Sequence, residues 1–472
     1  MRKLSRLVLM MIALLSCSGF RFESLHTSRG IVEDRFSESA VLQSKPKNII
    51  FMIGDGLGIG QMEIARLFEY GKEGRLFFQT LPHTGLVLTY SANNFVTDSA
   101  AAATALATGK KTNNGMIGIT PDGKEADSIL DLFKNDGKKT GIISTNTVTD
   151  ATPAAFTASV QNRWAGQGEI ARQQFENKID VLLGGGASIF SPEHQKGIDL
   201  VQRFRQAGYS VATSREQLLS TKGDRILGLF HPSYMTFKQD REELGSQEPD
   251  LTEMTKKAIE TLSKGKKGFF VMIEGARIDQ SAHSGDIASI WKETIEFDEA
   301  VKYAVKWAEK QGDTLVVVTA DHETMGISAP DPLNIGAYKN LKVTPEYMAT
   351  KLIYNQREGQ FTKESIKNVF YLYTGISLNE DEAQLLNDRI RASSGQVYAS
   401  QRIAWEIGSL IAEKFNAGMI SSKIRALSST GGHTANMIPI FSYGPGSQSF
   451  VGVINNIEIP QKMAKLMGYH MQ

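Results

Sequence analysis

Side chains that bind metal ions or act as nucleophiles are concentrated in six short stretches of the sequence. Imidazole and carboxylate groups together are the ligands that Zn²⁺ prefers, whereas carboxylate and hydroxyl oxygens without imidazole suit Mg²⁺. The stretches hold enough of both kinds for more than one metal ion. They are IGDG, with Asp55; VTDSA, with Ser99; TVTDATPAAF, with Asp150 and Thr152; VMIEGARIDQSAHSGD, with Glu274, Asp279 and His283; VVVTADHETMG, with Asp321 and His322; and GGHTA, with His433.

Taken singly, each of these residues has an ordinary structural interpretation. An aspartate after a strand usually forms a turn or caps a helix, and an isolated buried histidine is usually a core residue. Three of the eight histidines, however, lie in carboxylate-rich or glycine-rich stretches at the ends of predicted strands. The other five lack such neighbours and are interpreted as ordinary residues: His26, His83, His194, His231 and His470. The grouping therefore indicates metal sites where no single residue would.

Ser99 stands at the start of a predicted helix. The stretch VTDSAAAATALATG, residues 96–109, places Asp98 and Ser99 directly before a run of alanines. Asp98 is a suitable helix cap, and the helix N-terminus favours an anion beside Ser99. A serine hydroxyl becomes a good nucleophile only when a metal or a base lowers its pKa, and zinc can do so without a histidine base. Ser99 is therefore the candidate nucleophile, while Asp98 is a suitable cap whose further role stays open.

The elements that must position these residues alternate between apolar strands and amphipathic helices. This alternation predicts an α/β fold in three layers, with a mostly parallel central sheet and helices on both faces. Ligands bind such sheets at the carboxyl ends of the strands, where almost all of the candidate residues fall. The predicted strands are 48–53, 86–90, 140–144, 179–183, 225–230, 268–273, 314–319 and about 450–454, and the main helices are 99–107, 128–135, 252–263 and 287–310.

Residues 324–430 interrupt this rhythm. The segment is richer in charged and polar residues, and its patterns predict helices at about 344–357, 380–392 and 400–414. We interpret it as an insertion before the last metal-ligand stretch. Whether it shapes the mouth of the site, forms a subunit interface or is a passive surface elaboration stays open at this point.

The N-terminus is typical of an exported protein. MRKLSRLVLMMIALLSC begins with Arg2, Lys3 and Arg6, and its apolar run is too short to span a bilayer. Cys17, the only cysteine, ends that run, so residues 1–17 are predicted to be a lipoprotein signal, with ordinary export and cleavage near Gly19 as the alternative. Disulfides within the chain are excluded. Residues 18–472 would form a single domain, periplasmic or anchored to the membrane. A formal net charge of +1 gives no sign of nucleic-acid binding.

The six stretches resemble the signature blocks of the alkaline phosphatase family, in the family's order and spacing. The resemblance covers nearly the whole mature chain, although 324–430 is only generically similar. It implies hydrolysis of phosphate monoesters through a phosphoserine at Ser99, with two zinc ions and one magnesium ion per chain, and a homodimer.

The resemblance also implies a role for each candidate residue. The first zinc would take Asp279, His283 and His433. The second would take Asp321 and His322 with Asp55 and the oxygen of Ser99. The magnesium would take Asp55, Thr152 and Glu274, with Asp150 ordering its waters, and Arg163 would hold the phosphate in its planar fork.

One departure from the family pattern concerns Gln280, which follows Asp279 where relatives often carry a lysine, histidine or tryptophan. Gln280 adds no positive charge near the phosphate, so the sequence predicts weaker retention of the phosphate product. Asp150, in place of a histidine, favours magnesium over zinc in the third site.

Several other functions share parts of this pattern. A phosphodiesterase or a cofactor-independent phosphoglycerate mutase belongs to the same superfamily, and sequence cannot show room for a second ester group. A sulfatase would need the signature C/S-x-P-x-R, whereas AAAAT follows Ser99. A phosphate-binding protein without turnover would not need so many metal ligands. Arg163, Thr152 and Glu274 favour the monoesterase.

Overall fold

The computed structural model describes residues 45–392 and 399–471. Its strands β1 to β14 are Asn48–Gly54, His83–Leu88, Lys139–Thr147, Val181–Gly185, Ser210–Ala212, Ile226–Leu229, Phe269–Gly275, Thr314–Ala320, Glu323–Thr324, Tyr354–Asn355, Gln360–Phe361, His433–Thr434, Ile438–Tyr443 and Gly452–Asn455. Its α-helices are Ile59–Tyr70, Ser99–Thr108, Ile129–Asn135, Ala151–Ala155, Gln167–Asn177, Leu200–Gln206, Arg215–Ser220, Leu251–Leu262, Arg277–His283, Ile287–Gln311, Ile335–Lys339, Pro345–Ala349, Lys363–Thr374, Glu380–Ala392, Ala399–Lys414, Ser422–Leu427 and Glu458–Met467.

Ten of the described strands form one sheet in the order β14-β2-β13-β8-β1-β7-β3-β4-β6-β5. All neighbours pair in parallel except those of β13, which runs antiparallel to both β2 and β8. Strands β1, β7 and β8 at the centre are buried along their whole length, as expected for a parallel sheet covered on both faces. The predicted α/β fold with a mostly parallel central sheet is confirmed.

The helix Ser99–Thr108 begins at the predicted nucleophile. The carboxylate of Asp98 accepts a hydrogen bond from the backbone of Ala101 at 2.9 Å, which caps the helix, and Gly109 ends it in the left-handed conformation. Every residue of this helix is buried. Its small alanine side chains allow this close packing, so the start of the helix is held rigidly at the edge of the sheet.

The segment 324–430 differs in part from its prediction. The helices Glu380–Ala392 and Ala399–Lys414 form as expected, but the predicted helix 344–357 is wrong beyond its first turn. Thr344 and Pro345 start a helix that ends at Ala349, and the chain then forms a hairpin of β10 and β11. The rings of Tyr354 and Phe361 meet edge to face across this hairpin at 5.3 Å, a contact that local periodicity does not encode.

The apolar side chains of this segment pack onto the sheet domain. One buried cluster joins Phe68 and Ile287, from helices beside the sheet, to Tyr338, Phe370 and Ile407 of the segment. Among the residues that the structure describes, no helix is both long and apolar enough to cross a bilayer. The predicted signal of residues 1–17, with Cys17, lies outside the described residues.

Candidate active site

Four neighbouring strands bring most of the candidate residues together. Strands β8, β1, β7 and β3 lie side by side and run in the same direction, so their carboxyl ends meet at one edge of the sheet. In that order, the segments at or directly after the strand ends supply Asp321 and His322; Asp55; Glu274, Asp279 and His283; and Asp150 and Thr152.

His433 reaches the same edge because β13 runs in the opposite direction. It precedes that strand, and the amino end of an antiparallel strand lies beside the carboxyl ends of its parallel neighbours. A short antiparallel ribbon fixes its position further, since His433 pairs with Thr324 of β9. The Nδ1 atom of His433 lies 3.0 Å from the backbone oxygen of Thr97, which leaves Nε2 facing the site.

Asp279, His283 and His433 form a first group of metal-ligand side chains. Nε2 of His283 lies 3.2 Å from Oδ2 of Asp279 and 3.2 Å from Nε2 of His433. Nδ1 of His283 lies 2.8 Å from the backbone oxygen of Gly431, which orients the ring. Two imidazoles and one carboxylate directed to one point form a donor set that suits zinc.

Asp55, Asp321 and His322 form a second group, and Ser99 adjoins it. Nε2 of His322 lies 3.1 Å from Oδ2 of Asp321, 3.5 Å from Oδ1 of Asp55 and 3.1 Å from Oγ of Ser99. The rings of His322 and His433 stack with their centroids 3.6 Å apart, so the two groups are adjacent. The hydroxyl of Ser99 therefore lies among ligand atoms at the start of a helix.

Burial keeps two of the histidines neutral. It lowers the pKa of His322 to about 3 and, together with repulsion by His322, lowers the pKa of His433 to about 3. Burial alone would lower the pKa of His283 too, but the carboxylate of Asp279 reverses that shift and leaves it raised. A neutral imidazole carries the free lone pair that a metal requires.

The carboxylates of the two groups are buried and lie close enough to repel one another. Burial and the neighbouring carboxylates raise the pKa of Asp55, and burial and Asp279 raise that of Asp321 to about 6. Burial alone would raise the pKa of Asp279, but attraction by His283 and His433 leaves it lowered. Oδ1 of Asp55 and Oδ2 of Asp321 are buried, and although Nε2 of His322 lies 3.5 and 3.1 Å from them, neither oxygen accepts a hydrogen bond with suitable geometry. Such orphaned oxygens are what a cation site provides before its cation binds.

The predicted magnesium residues share one side of this edge. Burial raises the pKa of Glu274 to about 8, the charge of Asp150 adds to the shift, and Ser144 donates a hydrogen bond to its carboxylate at 2.5 Å. The hydroxyl of Thr152 is buried beside this carboxylate, and its hydrogen bond to Glu274 opposes part of the effect of burial on that pKa. The charge of Glu274 also raises the pKa of Asp55. The carboxylate predicted to serve both the second zinc and the magnesium therefore lies near Glu274.

Arg163 faces the site between two carboxylates. It is buried, its Nη2 donates to Oδ1 of Asp150 at 2.9 Å, and its Nη1 lies 3.6 Å from Oδ2 of Asp98. Asp98, whose role beyond the cap was open from the sequence, both caps the serine helix and pairs with Arg163. The ion pairs hold the guanidinium fork in place and keep it charged.

With this geometry in hand, known proteins provide a direct comparison. A family model described as alkaline phosphatase matches residues 46–469. Alkaline phosphatase 3 of Bacillus subtilis is 35% identical over 451 residues, which cover 91% of each chain. The alkaline phosphatase of Escherichia coli is 36% identical over 346 residues, 61% of this chain and 73% of that protein. The crystal structure of Thermus thermophilus alkaline phosphatase matches with a TM-score of 0.80 at 26% identity, over 94% of this chain and 97% of that one.

The chain belongs to the alkaline phosphatase family. The family resemblance seen in the sequence is confirmed, and with it the prediction of an enzyme of the metal-dependent phosphomonoesterase class. Gln280 follows the candidate ligand Asp279 in the helix Arg277–His283. Its amide oxygen accepts a hydrogen bond from Nη1 of Arg277, a buried arginine whose guanidinium carbon lies 3.4 Å from the ring centre of Phe237. From the sequence we expected only that Gln280 itself adds no positive charge. We did not expect that the guanidinium of Arg277 would contact it.

Sequence reasoning also missed residues that contact the two candidate ligand groups and help to hold them in place. Thr324 donates a hydrogen bond to Oδ1 of Asp279 at 2.5 Å, and its hydroxyl lies 3.2 Å from Nδ1 of His322, so one side chain contacts both groups. The ring of Trp405 stacks on that of His283. The segment TADHET places Thr324 two residues after a ligand, which is a usable signal, whereas nothing in the sequence near Trp405 points to His283.

Proposed function

We propose that the chain hydrolyses phosphate monoesters through a phosphoserine at Ser99, with two zinc ions and one magnesium ion. The observation that carries this proposal is the position of Ser99. Its hydroxyl lies 3.1 Å from Nε2 of His322, inside a group of buried metal ligands and at the N-terminus of a buried helix. Metal ions held by these ligands would activate the hydroxyl for attack on phosphorus, whereas a serine that only caps a helix has no such activation.

The residues present fit the proposed cations. The imidazole-rich group of Asp279, His283 and His433 and the group of Asp55, Asp321 and His322 suit zinc. The oxygen-only set of Asp55, Thr152 and Glu274 suits magnesium, since Thr152 and Glu274 lie side by side and Glu274 acts electrostatically on Asp55, and Asp150 would order its waters. When bound, the metals would lower the pKa of the serine hydroxyl and of the hydrolytic water and stabilise the leaving oxygen.

The other groups of the site then have defined tasks. Arg163 binds two phosphate oxygens with its fork, and Asp150 and Asp98 hold that fork in place. Oγ of Ser99 forms a bond to phosphorus as the bond to the leaving oxygen breaks, and the alcohol leaves with a proton. Water then cleaves the phosphoserine, which restores the serine hydroxyl and releases inorganic phosphate. The positive end of the helix dipole stabilises the charge at Ser99 throughout.

Turnover of p-nitrophenyl phosphate tests this proposal. The native chain should hydrolyse it at alkaline pH, lose activity to a chelator, and bind two zinc ions and one magnesium ion by elemental analysis. Ser99→Ala should lower kcat by at least about 10³-fold while it keeps its metals, and Ser263→Ala, at an exposed serine, should act as native. Chelator-insensitive turnover, or full activity of Ser99→Ala, would contradict the mechanism. Faster hydrolysis of bis-p-nitrophenyl phosphate than of the monoester would favour the phosphodiesterase.

Export, anchoring and assembly belong to the same proposal. The charged start, apolar run and cysteine of residues 1–17 support export to the periplasm or cell exterior, with Cys17 lipidated as a membrane anchor. The family resemblance supports a homodimer. A diacylglyceryl adduct on Cys17 in the mass spectrum of the mature protein, and a dimer mass by light scattering, are the expected results. A mature chain that begins near Gly19 without lipid would contradict anchoring.

A further inference from the structure

The role of the segment 324–430 is indicated by its contact with one ligand of the first group. The helix Ala399–Lys414 lies against the end of the helix Arg277–His283. Gly408 has no side chain at the contact, and a Cβ atom there would lie only 1.9 Å from the backbone oxygen of Ser284, the residue after His283. The backbone of the segment therefore touches the backbone that carries His283.

The same helix places an aromatic ring on the imidazole of His283. The rings of Trp405 and His283 are nearly parallel, with an interplanar angle of 12° and centroids 5.2 Å apart, which is an offset stack. The Nδ1 edge of the imidazole is fixed by the carbonyl oxygen of Gly431, which lies 2.8 Å from Nδ1. These two contacts restrain both the plane and the rotation of the ring, and they leave Nε2 directed at Asp279 and His433.

Arg425 completes the contact and is itself held in place. Its guanidinium carbon lies 5.2 Å from the ring centre of Trp405, and its Nη1 donates to the backbone oxygen of His283 at 3.0 Å. Its Nη2 donates to the carboxylate of Glu406 at 2.6 Å, and both side chains are buried. A buried, paired arginine cannot move freely, so the tryptophan and the backbone of His283 share one fixed support.

Gly431 shows how closely these parts fit. Its φ angle of +75° suits glycine, and a Cβ atom there would lie 3.1 Å from both the imidazole of His283 and the ring of Trp405. The loop before His433 therefore lies so close to both rings that a side chain at residue 431 would displace them by a few tenths of an ångström. Histidine, tryptophan and glycine loop form one packed unit around the first group of ligands.

We infer that Trp405 and Arg425 are positioning residues for the first zinc, and that the segment 324–430 serves to fix His283. This inference rests on the proposed function, because it assumes that Asp279, His283 and His433 hold zinc. A ligand whose orientation is fixed in advance loses less entropy on binding, and removal of such supports typically costs 10- to 100-fold in metal affinity. The second group has no contact of this kind with Trp405 among the described residues.

Zinc release to a chromogenic chelator tests the inference on the metal-loaded full chain. Native protein should release its two zinc ions in two phases. Trp405→Ala should accelerate one phase by about 10-fold or more and leave the other unchanged. Trp405→Phe, which keeps a stacking ring, should stay within about 3-fold of native. Tyr371→Ala removes an exposed aromatic ring of the same segment, so it is the matched control and should act as native.

Three results would overturn the inference: release from Trp405→Ala at the rate of Tyr371→Ala, equal acceleration of both phases, or release from Trp405→Phe as fast as from Trp405→Ala. If Trp405→Ala does not fold, cobalt provides the test. The fluorescence of Trp405 is obtained as the emission of the native protein minus that of Trp405→Phe. Co²⁺ bound at the first site should quench this fluorescence, and fluorescence that stays unquenched would also overturn the inference. A native chain that holds no zinc would instead contradict the proposed function.

Discussion

Gln280 is the residue at which we expect a single side chain to affect the release of product. It follows Asp279 in the sequence, and Arg277 donates a hydrogen bond to its amide oxygen. The cation of Arg277 is held away from solvent by Phe237 and lies 3.8 Å from Glu346. A neutral amide therefore occupies the position next to the ligand, with an arginine behind it whose charge is already paired.

A lysine at this position should retain phosphate more tightly. Gln280→Lys adds a positive charge close to a dianion in a partly buried site, so the inhibition constant for inorganic phosphate should fall by about 3-fold or more, and product release should slow. Gln280→Met, similar in length and uncharged, is the control. Equal phosphate inhibition of the lysine and methionine variants in steady-state assays would show that charge at this position does not govern release.

At the scale of elements, the site depends on how closely the loop after β1 approaches the helix Arg277–His283. Gly56 has a φ angle of +72°, and a Cβ atom there would lie 2.8 Å from Cα of Asp279. Its backbone nitrogen also donates to Oδ1 of Asp321 at 3.1 Å. One glycine thus sets the distance between the two groups of ligands.

Gly56→Ala should therefore damage the site more than the fold. A left-handed alanine costs about 1–2 kcal/mol of stability, and the clash with Asp279 adds a displacement of that ligand. We expect kcat/KM to fall by at least about 10-fold, with weaker zinc binding in a chelator titration. Gly312→Ala separates the two effects, because Gly312 is left-handed with a similar φ of +73° but has open space around its Cβ position. Similar activity in the two variants would mean that the contact with Asp279 is unimportant.

The elements also show what could be predicted from the sequence. The central strands and the helix Ser99–Thr108 were predictable because burial on both faces and a run of alanines leave a local pattern. Strand β13 and the hairpin after Ala349 were not, because each is stabilised by pairing with residues distant in the chain. The candidate ligand residues stood out because their stretches follow strands, and the family resemblance suggested a role for each. The stack of Trp405 on His283, by contrast, depends on packing across more than a hundred residues.

At the scale of the whole molecule, negative charge is concentrated at one edge of the sheet although the chain as a whole carries a formal charge of +1. Asp55, Glu274, Asp279 and Asp321 are all buried there, and desolvation opposes the charge of each. A fold that buries carboxylates in this way is stabilised by cations that bind only its native state. Metal-free protein should therefore be measurably less stable than metal-loaded protein, and increasingly so at alkaline pH.

Glu274 gives this expectation a definite sign. Its pKa of about 8 in the folded chain lies above the ordinary value of 4.5, so the folded state holds the proton more tightly than the unfolded state. The resulting stabilisation is complete below about pH 4.5 and is lost as the pH rises through about 8. Between pH 7 and pH 9 the metal-free native chain should lose about 1–3 °C more in Tm than Glu274→Gln, which has no proton to release.

Thermal unfolding followed by circular dichroism, after exhaustive chelation, measures this difference directly. Other groups that titrate in the same range, such as Asp298 with a pKa raised by burial to about 7, are common to both proteins and cancel in the comparison. Zinc and magnesium should restore the alkaline stability of the native chain, because a bound cation stabilises the ionised carboxylate that pH alone makes costly. Parallel curves of Tm against pH for the two metal-free proteins would mean that Glu274 ionises at an ordinary pH. The raised pKa of Glu274 could then no longer be used as support for a magnesium site.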